Sequence, residues 1–128
     1  MGQPLVHFEI IGAEPEQLRG YYGSLFGWEF DTNAPVSPAV SEPTRYGFTD
    51  RNQGSDEIGI PGGVGGGAGY ASRVIIYIGV PDVEAALAKA ERLGGTRVMG
   101  PENNPGKGIV VGHFKDPQGN LVGVAGPR

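Results

Sequence analysis

Residues 80–95, VPDVEAALAKAERLGG, and residues 113–120, HFKDPQGN, are the most informative stretches of this chain. In the first, Asp82 is suited to cap a helix, because its side chain can accept a hydrogen bond from a free backbone N–H of the first turn. The apolar side chains that follow recur at helical spacing: Val83, Ala86, Leu87, Ala90 and Leu93. Gly94 and Gly95 end the helix. In the second stretch, Asp116 to Gly119 have the composition of a tight turn between two strands.

Strands are predicted on both sides of these stretches. Residues 73–80, RVIIYIGV, are rich in β-branched side chains and form the first strand. Residues 96–99, 108–115 and 120–125 form three more, with a loop at 100–107. The second half of the chain therefore has the order strand, helix and three strands.

The first half has the same order. A strand at 5–11 precedes a helix that begins at Pro15 and ends at Gly27. Three further strands are expected at 28–32, 45–50 and 56–60, and a proline-containing loop or broken edge strand at 33–44. An offset of 68 residues aligns Ile10 with Ile78, Leu25 with Leu93 and Gly27 with Gly95. The fold class is therefore predicted as α+β, a single domain of two tandem βαβββ units (4–60 and 71–126) joined by a glycine-rich linker at 61–70.

Composition narrows the function classes. The chain has 128 residues, a formal net charge of −4 and no cysteine. Disulfides, thiolate metal sites and a cysteine nucleophile are excluded. The acidic balance does not favour nucleic acid or an anionic membrane as a partner, and no apolar run approaches the roughly 18–20 residues of a membrane span. The N-terminal residues lack the features of a secretory signal, so a cytoplasmic location is expected.

The repeat and its two motifs resemble the vicinal oxygen chelate superfamily, which includes glyoxalase I, bleomycin-resistance proteins and extradiol dioxygenases. The match is strongest in the helix 80–86, the Leu93-Gly94-Gly95 stop and the F-x-D-P-x-G-N turn at 114–120. The segment 21–28, YYGSLFGW, is similar to one in many small bacterial members. The resemblance implies that two curved halves enclose a cavity in which a small molecule binds. It also implies a homodimer, in which the units of two chains can exchange.

Enzymes of this superfamily usually hold a divalent metal ion (zinc, nickel, manganese or iron) at one position on the first and last strand of each unit. The resemblance places His7 at the first of these positions and Ile75 at its equivalent in the second unit. It places Gly123 on the last strand of the second unit and a residue near Gly59 on that of the first, where Glu57 is the nearest carboxylate. Isoleucine and glycine offer no side-chain donor, so no metal cofactor is expected. If a metal ion is bound, His7 and Glu57 are the candidate ligands, with a His7, His113 and Glu57 site of different geometry as a further alternative.

The candidate ligand-binding residues are His7, Glu9, Trp28, Tyr77 and His113. His7 and Glu9 lie on one face of the first strand, where they could act as a general acid and base. Alternatively, Arg73 or a tyrosine holds the carboxylate of Glu9, and His7 bonds to a neighbour. Tyr77 is the repeat equivalent of Glu9 and could donate a hydrogen bond to it or to a ligand.

Three functions follow as hypotheses. The first is a metal-free small-molecule-binding protein, in the manner of the resistance proteins that the sequence resembles. The alternative is a metal-dependent lyase, isomerase or dioxygenase like glyoxalase I, and the third is a regulatory module that binds a partner protein and no ligand.

Overall fold

The computed structural model describes residues 2–128, in which two helices accompany one mixed sheet of seven strands. This confirms the predicted α+β class. The elements, in chain order, are β1 (Leu5–Gly12), α1 (Pro15–Phe26), β2 (Gly47–Thr49), β3 (Gly62–Gly66), β4 (Arg73–Gly79), α2 (Val83–Arg92), β5 (Thr96–Asn104), β6 (Ile109–Lys115) and β7 (Leu121–Pro127). Neither helix in this range is long and apolar enough to cross a bilayer.

The strand order, β2-β3-β1-β4-β7-β6-β5, repeats itself about the centre of the sheet. At the centre β1 and β4 pair antiparallel, with His7 opposite Tyr77 and Glu9 opposite Ile75. On either side the next strand, β3 or β7, is parallel to its neighbour, and the one beyond it, β2 or β6, is antiparallel. The halves of the sheet are thus related by the repeat that the sequence predicts.

Both helices begin and end close to the predicted residues. Pro15 occupies the first turn of α1, and Gly27 ends this helix in a left-handed conformation with φ of 75°. The Asp82 side chain accepts a hydrogen bond of 3.0 Å from the backbone N–H of Ala85, as its predicted capping role requires. Val83 and Leu87 of α2 are buried against Val124 of β7.

The interior cluster lies on the other face of the sheet. Ile75 and Tyr77 of β4 and Val111 of β6 pack there with Ile11 and Tyr46. Because strand side chains alternate between the two faces, His7 and Glu9 point to the same side as these residues.

Four local predictions were wrong. The predicted linker contains β3, a fully buried strand between β1 and β2. Residues 28–32 contribute only an isolated bridge from Asp31 to Phe48, and residues 56–60 form no strand. Two predicted strands are thus absent and β3 is added, which gives seven strands instead of eight. The predicted loop at 100–107 begins as strand, because β5 continues to Asn104.

The loop at 33–44 joins the two halves of the molecule. Val36 and Val40 are buried in the interior cluster. The Ser37 backbone N–H donates to Asn104 Oδ1 at 2.8 Å, and Gly106 donates to the carbonyl of Pro35 at 3.0 Å. The loop therefore connects the first half to the end of β5, which brings the two ends of the sheet around a common space.

Candidate functional site

A pocket of about 1030 Å³ lies on the concave side of the sheet. Phe48 of β2 and Ile109 of β6 both line it, although their strands are far apart in the sheet order. Lys107, in the turn before β6, lies 4.5 Å above the centre of the Phe48 ring. The curvature of the sheet thus creates one cavity from both halves, of the size that small-molecule sites commonly have.

Five polar side chains form a continuous hydrogen-bonded chain that starts at the inner wall of this pocket, in the order His7, Tyr46, Glu9, Tyr77 and His113. His7 Nε2 lies 2.9 Å from the Tyr46 hydroxyl, which donates to Glu9 Oε1 at 3.0 Å. The Tyr77 hydroxyl lies 3.1 Å from each carboxylate oxygen of Glu9 and 2.7 Å from His113 Nε2. Glu9 is therefore the centre of a nearly symmetric arrangement, with one tyrosine and one histidine on each side.

The carboxyl group of Glu9 is almost completely removed from water, with 2% of the residue exposed. Burial raises its pKa to about 7, against the opposing effects of the Tyr46 hydrogen bond, the Arg73 charge and the Tyr77 hydrogen bond. The Arg73 guanidinium is 3.8 Å from Glu9 Oε2. The carboxyl group of Glu9 thus changes its protonation state near neutral pH, whereas a carboxyl group in water does so at a lower pH.

Both histidines of the chain are held neutral. Burial, with a smaller contribution from the nearby positive charge of Lys107, lowers the pKa of His7 to about 4. Burial lowers the pKa of His113 to about 4 as well, with a smaller contribution from Arg73. The pKa values of Tyr46 and Tyr77 are raised, first by burial and then by the negative charge of Glu9. Among the five side chains of the hydrogen-bonded chain, Glu9 is the one whose pKa lies near neutral pH.

The structure brings four of the predicted residues together. His7, Glu9 and Tyr77 line the pocket, and the anticipated hydrogen bond from Tyr77 to Glu9 is present. His113 belongs to the same hydrogen-bonded chain, but it lies behind Tyr77 and does not line the pocket.

Trp28 and Glu57 lie elsewhere. Trp28 packs among the aromatic rings of the α1 side, including Phe8 at 5.2 Å and Phe26 at 5.3 Å between ring centres, and is not part of the pocket wall. Phe26 is 57% exposed, so this cluster is only partly buried. Glu57 is exposed in the segment before β3, outside the pocket.

Tyr46 is the member of the site that sequence reasoning missed. It lies directly before β2 and is 2% exposed, with its ring centre 4.8 Å from that of Phe48. The only sequence signal was its spacing of two from Phe48, which places both side chains on one face of a strand.

The positions implied for a metal ion do not form a donor set. Ile75 lies opposite Glu9, and Gly123 lies between Tyr77 and His113 in the sheet. In the first half, the position on β3 opposite Glu9 is Gly63, which corresponds to Gly123 in the second half. The prediction that the last-strand position of the first unit lies near Gly59 was wrong, because Gly59 precedes β3. Within residues 2–128 no group of three or more His, Asp or Glu side chains is arranged to hold an ion.

Tyrosine rings occupy the space above both glycines. A Cβ atom at Gly123 would lie 2.5 Å from Tyr77 Cδ1, and one at Gly63 would collide with the Tyr46 ring. A chelating side chain at either position would therefore have to displace a tyrosine that holds Glu9. The residues present fit the hydrogen-bonded chain and do not fit the superfamily's metal ion.

The chain belongs to the Glyoxalase/Bleomycin resistance protein/Dioxygenase superfamily, whose family model matches residues 5–124. This confirms the resemblance that the sequence suggested. Among curated proteins, none matches the chain.

Solved structures share the fold at low sequence identity. A methylmalonyl-CoA epimerase from Streptomyces coelicolor, in complex with 2-nitronate-propionyl-CoA, is 15% identical with a TM-score of 0.68, over 98% of this chain and 94% of that one. A methylmalonyl-CoA epimerase from Mycobacterium tuberculosis is 12% identical with a TM-score of 0.66, over 97% and 87% of the two chains. A hypothetical protein from Bacillus halodurans C-125 is 14% identical with a TM-score of 0.65, over 100% and 96%. At these identities the likeness shows the fold alone.

Proposed function

We propose that this protein binds a small molecule in the pocket and does so without the superfamily's usual metal ion. The observation that carries the proposal is the packing of Tyr46 and Tyr77 over Gly63 and Gly123. The two glycines offer no side-chain donor to a metal ion, and the tyrosines above them belong to the hydrogen-bonded chain on the pocket wall. The pocket combines a few polar groups with aromatic and aliphatic walls, which is the composition of small-molecule sites.

Small-molecule binding has support from the structural relatives. The Streptomyces coelicolor epimerase holds a CoA derivative in its structure, and another methylmalonyl-CoA epimerase structure holds methylmalonyl-CoA. The pocket of this chain is large enough for a molecule of drug size.

The test has two measurements on protein purified without chelator. Elemental analysis is expected to find less than stoichiometric transition metal, and a metabolite and drug library is expected to contain compounds that raise the melting temperature, because a ligand stabilises the state that it binds. Stoichiometric zinc, nickel, manganese or iron that is lost in His7→Ala would refute the metal-free part. A library without effect would refute ligand binding and favour a partner-binding module.

The alternative, a metal-dependent lyase, isomerase or dioxygenase, makes the opposite prediction. Activity on a hemithioacetal or catechol substrate would rise on addition of nickel, zinc or iron. Ile75, Gly63 and Gly123 supply no ligands for such an ion, so no activity is expected.

We also propose that the protein is a homodimer, as the resemblance implies. Val74 and Ile76 of β4 are 70% and 42% exposed. They alternate with the buried Ile75 and Tyr77, so they form an apolar strip at the centre of the sheet on the face opposite the pocket. Contact with a second copy would remove this apolar surface from water.

A further inference from the structure

The proton positions in the five-residue chain follow from the number of available hydrogens. Each tyrosine has one hydroxyl proton, and ionised Glu9 can only accept hydrogen bonds. Tyr46 therefore donates to Glu9 at 3.0 Å, and its oxygen is free to accept from His7 Nε2 at 2.9 Å. Since Tyr46 has no second proton to give, His7 must be the donor in this contact.

The same count holds on the other side of Glu9. Tyr77 gives its proton to the carboxylate at 3.1 Å, so His113 Nε2 must donate to the Tyr77 oxygen at 2.7 Å. Ionised Glu9 thus orients the hydroxyl groups of Tyr46 and Tyr77, and each histidine carries its single proton on Nε2.

His7 has a second ring nitrogen, Nδ1, that takes no part in the hydrogen-bonded chain. His7 lines the pocket, and its Nδ1 atom makes no hydrogen bond within residues 2–128 and is not enclosed by them. A neutral histidine with its proton on Nε2 has a lone pair on Nδ1, which accepts hydrogen bonds and cannot donate them.

We infer that the chain from ionised Glu9 through Tyr46 fixes the proton of His7 on Nε2, so that the pocket presents the Nδ1 lone pair and selects aromatic molecules that carry an O–H or N–H donor. The inference rests on the proposed small-molecule binding and specifies its ligand class.

The walls next to His7 support the aromatic part. The Phe48 ring centre lies 5.9 Å from that of His7, and Phe30 also lines the pocket. A flat ring that donates a hydrogen bond to His7 can therefore contact Phe48 at the same time. Such aromatic pairs stabilise a complex beyond the burial of their area.

The charges around the pocket oppose an anionic ligand. Three carboxylates line it besides Glu9: Glu29, Asp31 and Asp50. Lys107 is the lysine among the lining residues, and Arg73 lies behind Glu9. A neutral or cationic ligand is therefore expected to bind more tightly in this pocket than a ligand with a carboxylate.

The first experiment measures the proton positions directly. Protein labelled with 15N at histidine is studied at pH 8 by long-range 1H–15N NMR, which distinguishes protonated from unprotonated ring nitrogens. The chain has two histidines, and both are expected to be protonated at Nε2 alone. A His7 ring protonated at Nδ1 would overturn the inference.

The second experiment compares 2-naphthol with 2-methoxynaphthalene, which has the same rings and no donor. At pH 8, calorimetry is expected to show naphthol binding at least about tenfold more tightly, the usual scale for one hydrogen bond that is lost at a buried group. Equal affinities, or no binding of either compound, would overturn the inference. Loss of all binding in the wider library would instead refute the proposed function.

Two variants provide a matched control, because each removes one hydroxyl group that donates to Glu9. Tyr46→Phe breaks the link between Glu9 and His7, so the preference for naphthol is expected to fall below about threefold, since the His7 proton can then move to Nδ1. Tyr77→Phe leaves that link intact and is expected to keep the preference. An equal loss in both variants would overturn the role assigned to Tyr46.

Discussion

The Tyr77 hydroxyl lies 3.1 Å from both carboxylate oxygens of Glu9, and these two residues occupy equivalent positions of the internal repeat, 68 residues apart in the chain. The repeat places them on neighbouring central strands, where their side chains meet on the same face of the sheet. Divergence of the two copies has therefore placed an acid and a phenol at equivalent positions, where they bond to each other.

Glu9 is expected to make the protein less stable as the pH rises. Its pKa is about 7 when folded and its ordinary value is 4.5, so between these values the folded state holds a proton that the unfolded state releases. The free energy of unfolding then falls by about 3 kcal/mol across this window. Urea unfolding of the wild type and Glu9→Gln should show a stability difference that shifts in favour of the variant by this amount between pH 4.5 and 7.

The two histidines act in the opposite direction. Their pKa values are lowered from 6.5 to about 4, so in that window the unfolded state binds protons that the folded state does not. Stability therefore rises with pH until about 6.5, and only the Glu9 effect continues above it. A stability difference between wild type and Glu9→Gln that is independent of pH would contradict the assignment of the shifted carboxyl group.

Gly123→Ala is expected to destabilise the protein, because the new methyl group would lie 2.5 Å from the Tyr77 ring. Overpacking of this kind costs about 1–3 kcal/mol. Gly20→Ala is the matched control, since Gly20 lies in α1 with no atom within 4 Å of an added Cβ, and it should stabilise by about 0.5–1 kcal/mol. Thermal unfolding measures both, and a neutral Gly123→Ala would show that Tyr77 does not depend on the glycine.

Phe48→Ala is expected to weaken binding of any aromatic ligand found in the library. The ring lines the pocket beside His7, and its loss should raise the dissociation constant at least about threefold. Phe26→Ala provides the control, because this exposed phenylalanine lies outside the pocket wall. Titration calorimetry with the same ligand should show no change for Phe26→Ala; an equal loss in both would place the ligand elsewhere.

The proposed dimer is tested by Val74→Glu, which introduces charge into the exposed strip on β4. The wild type should sediment as a dimer and the variant as a monomer, because a buried unpaired carboxylate opposes association. Val98→Glu, on the exposed side of β5 with 49% exposure, should leave the sedimentation unchanged. A monomeric wild type at micromolar concentration would contradict the proposal.

Local patterns were sufficient for the elements whose signals lie close together in the chain. The α2 cap, stop and apolar stripe lie within 14 residues, Asp82 to Gly95, and each acts through backbone geometry that neighbouring residues determine. The spacing of His7 and Glu9 likewise placed both on one face of β1, and the repeat predicted that Tyr77 would meet Glu9.

Tertiary structure alone decided the role of the glycine-rich segment and of Tyr46. Glycine has a low intrinsic preference for strands, so residues 62–66 have the composition of a linker. They form a buried strand because Phe8 and Tyr46 fill the space that glycine leaves. Tyr46 joins Glu9 across 37 residues of sequence, a contact that depends on how β1, β2 and β3 pair. Sequence thus determined the repeat and the faces of its strands, while long-range packing selected which polar groups form the site.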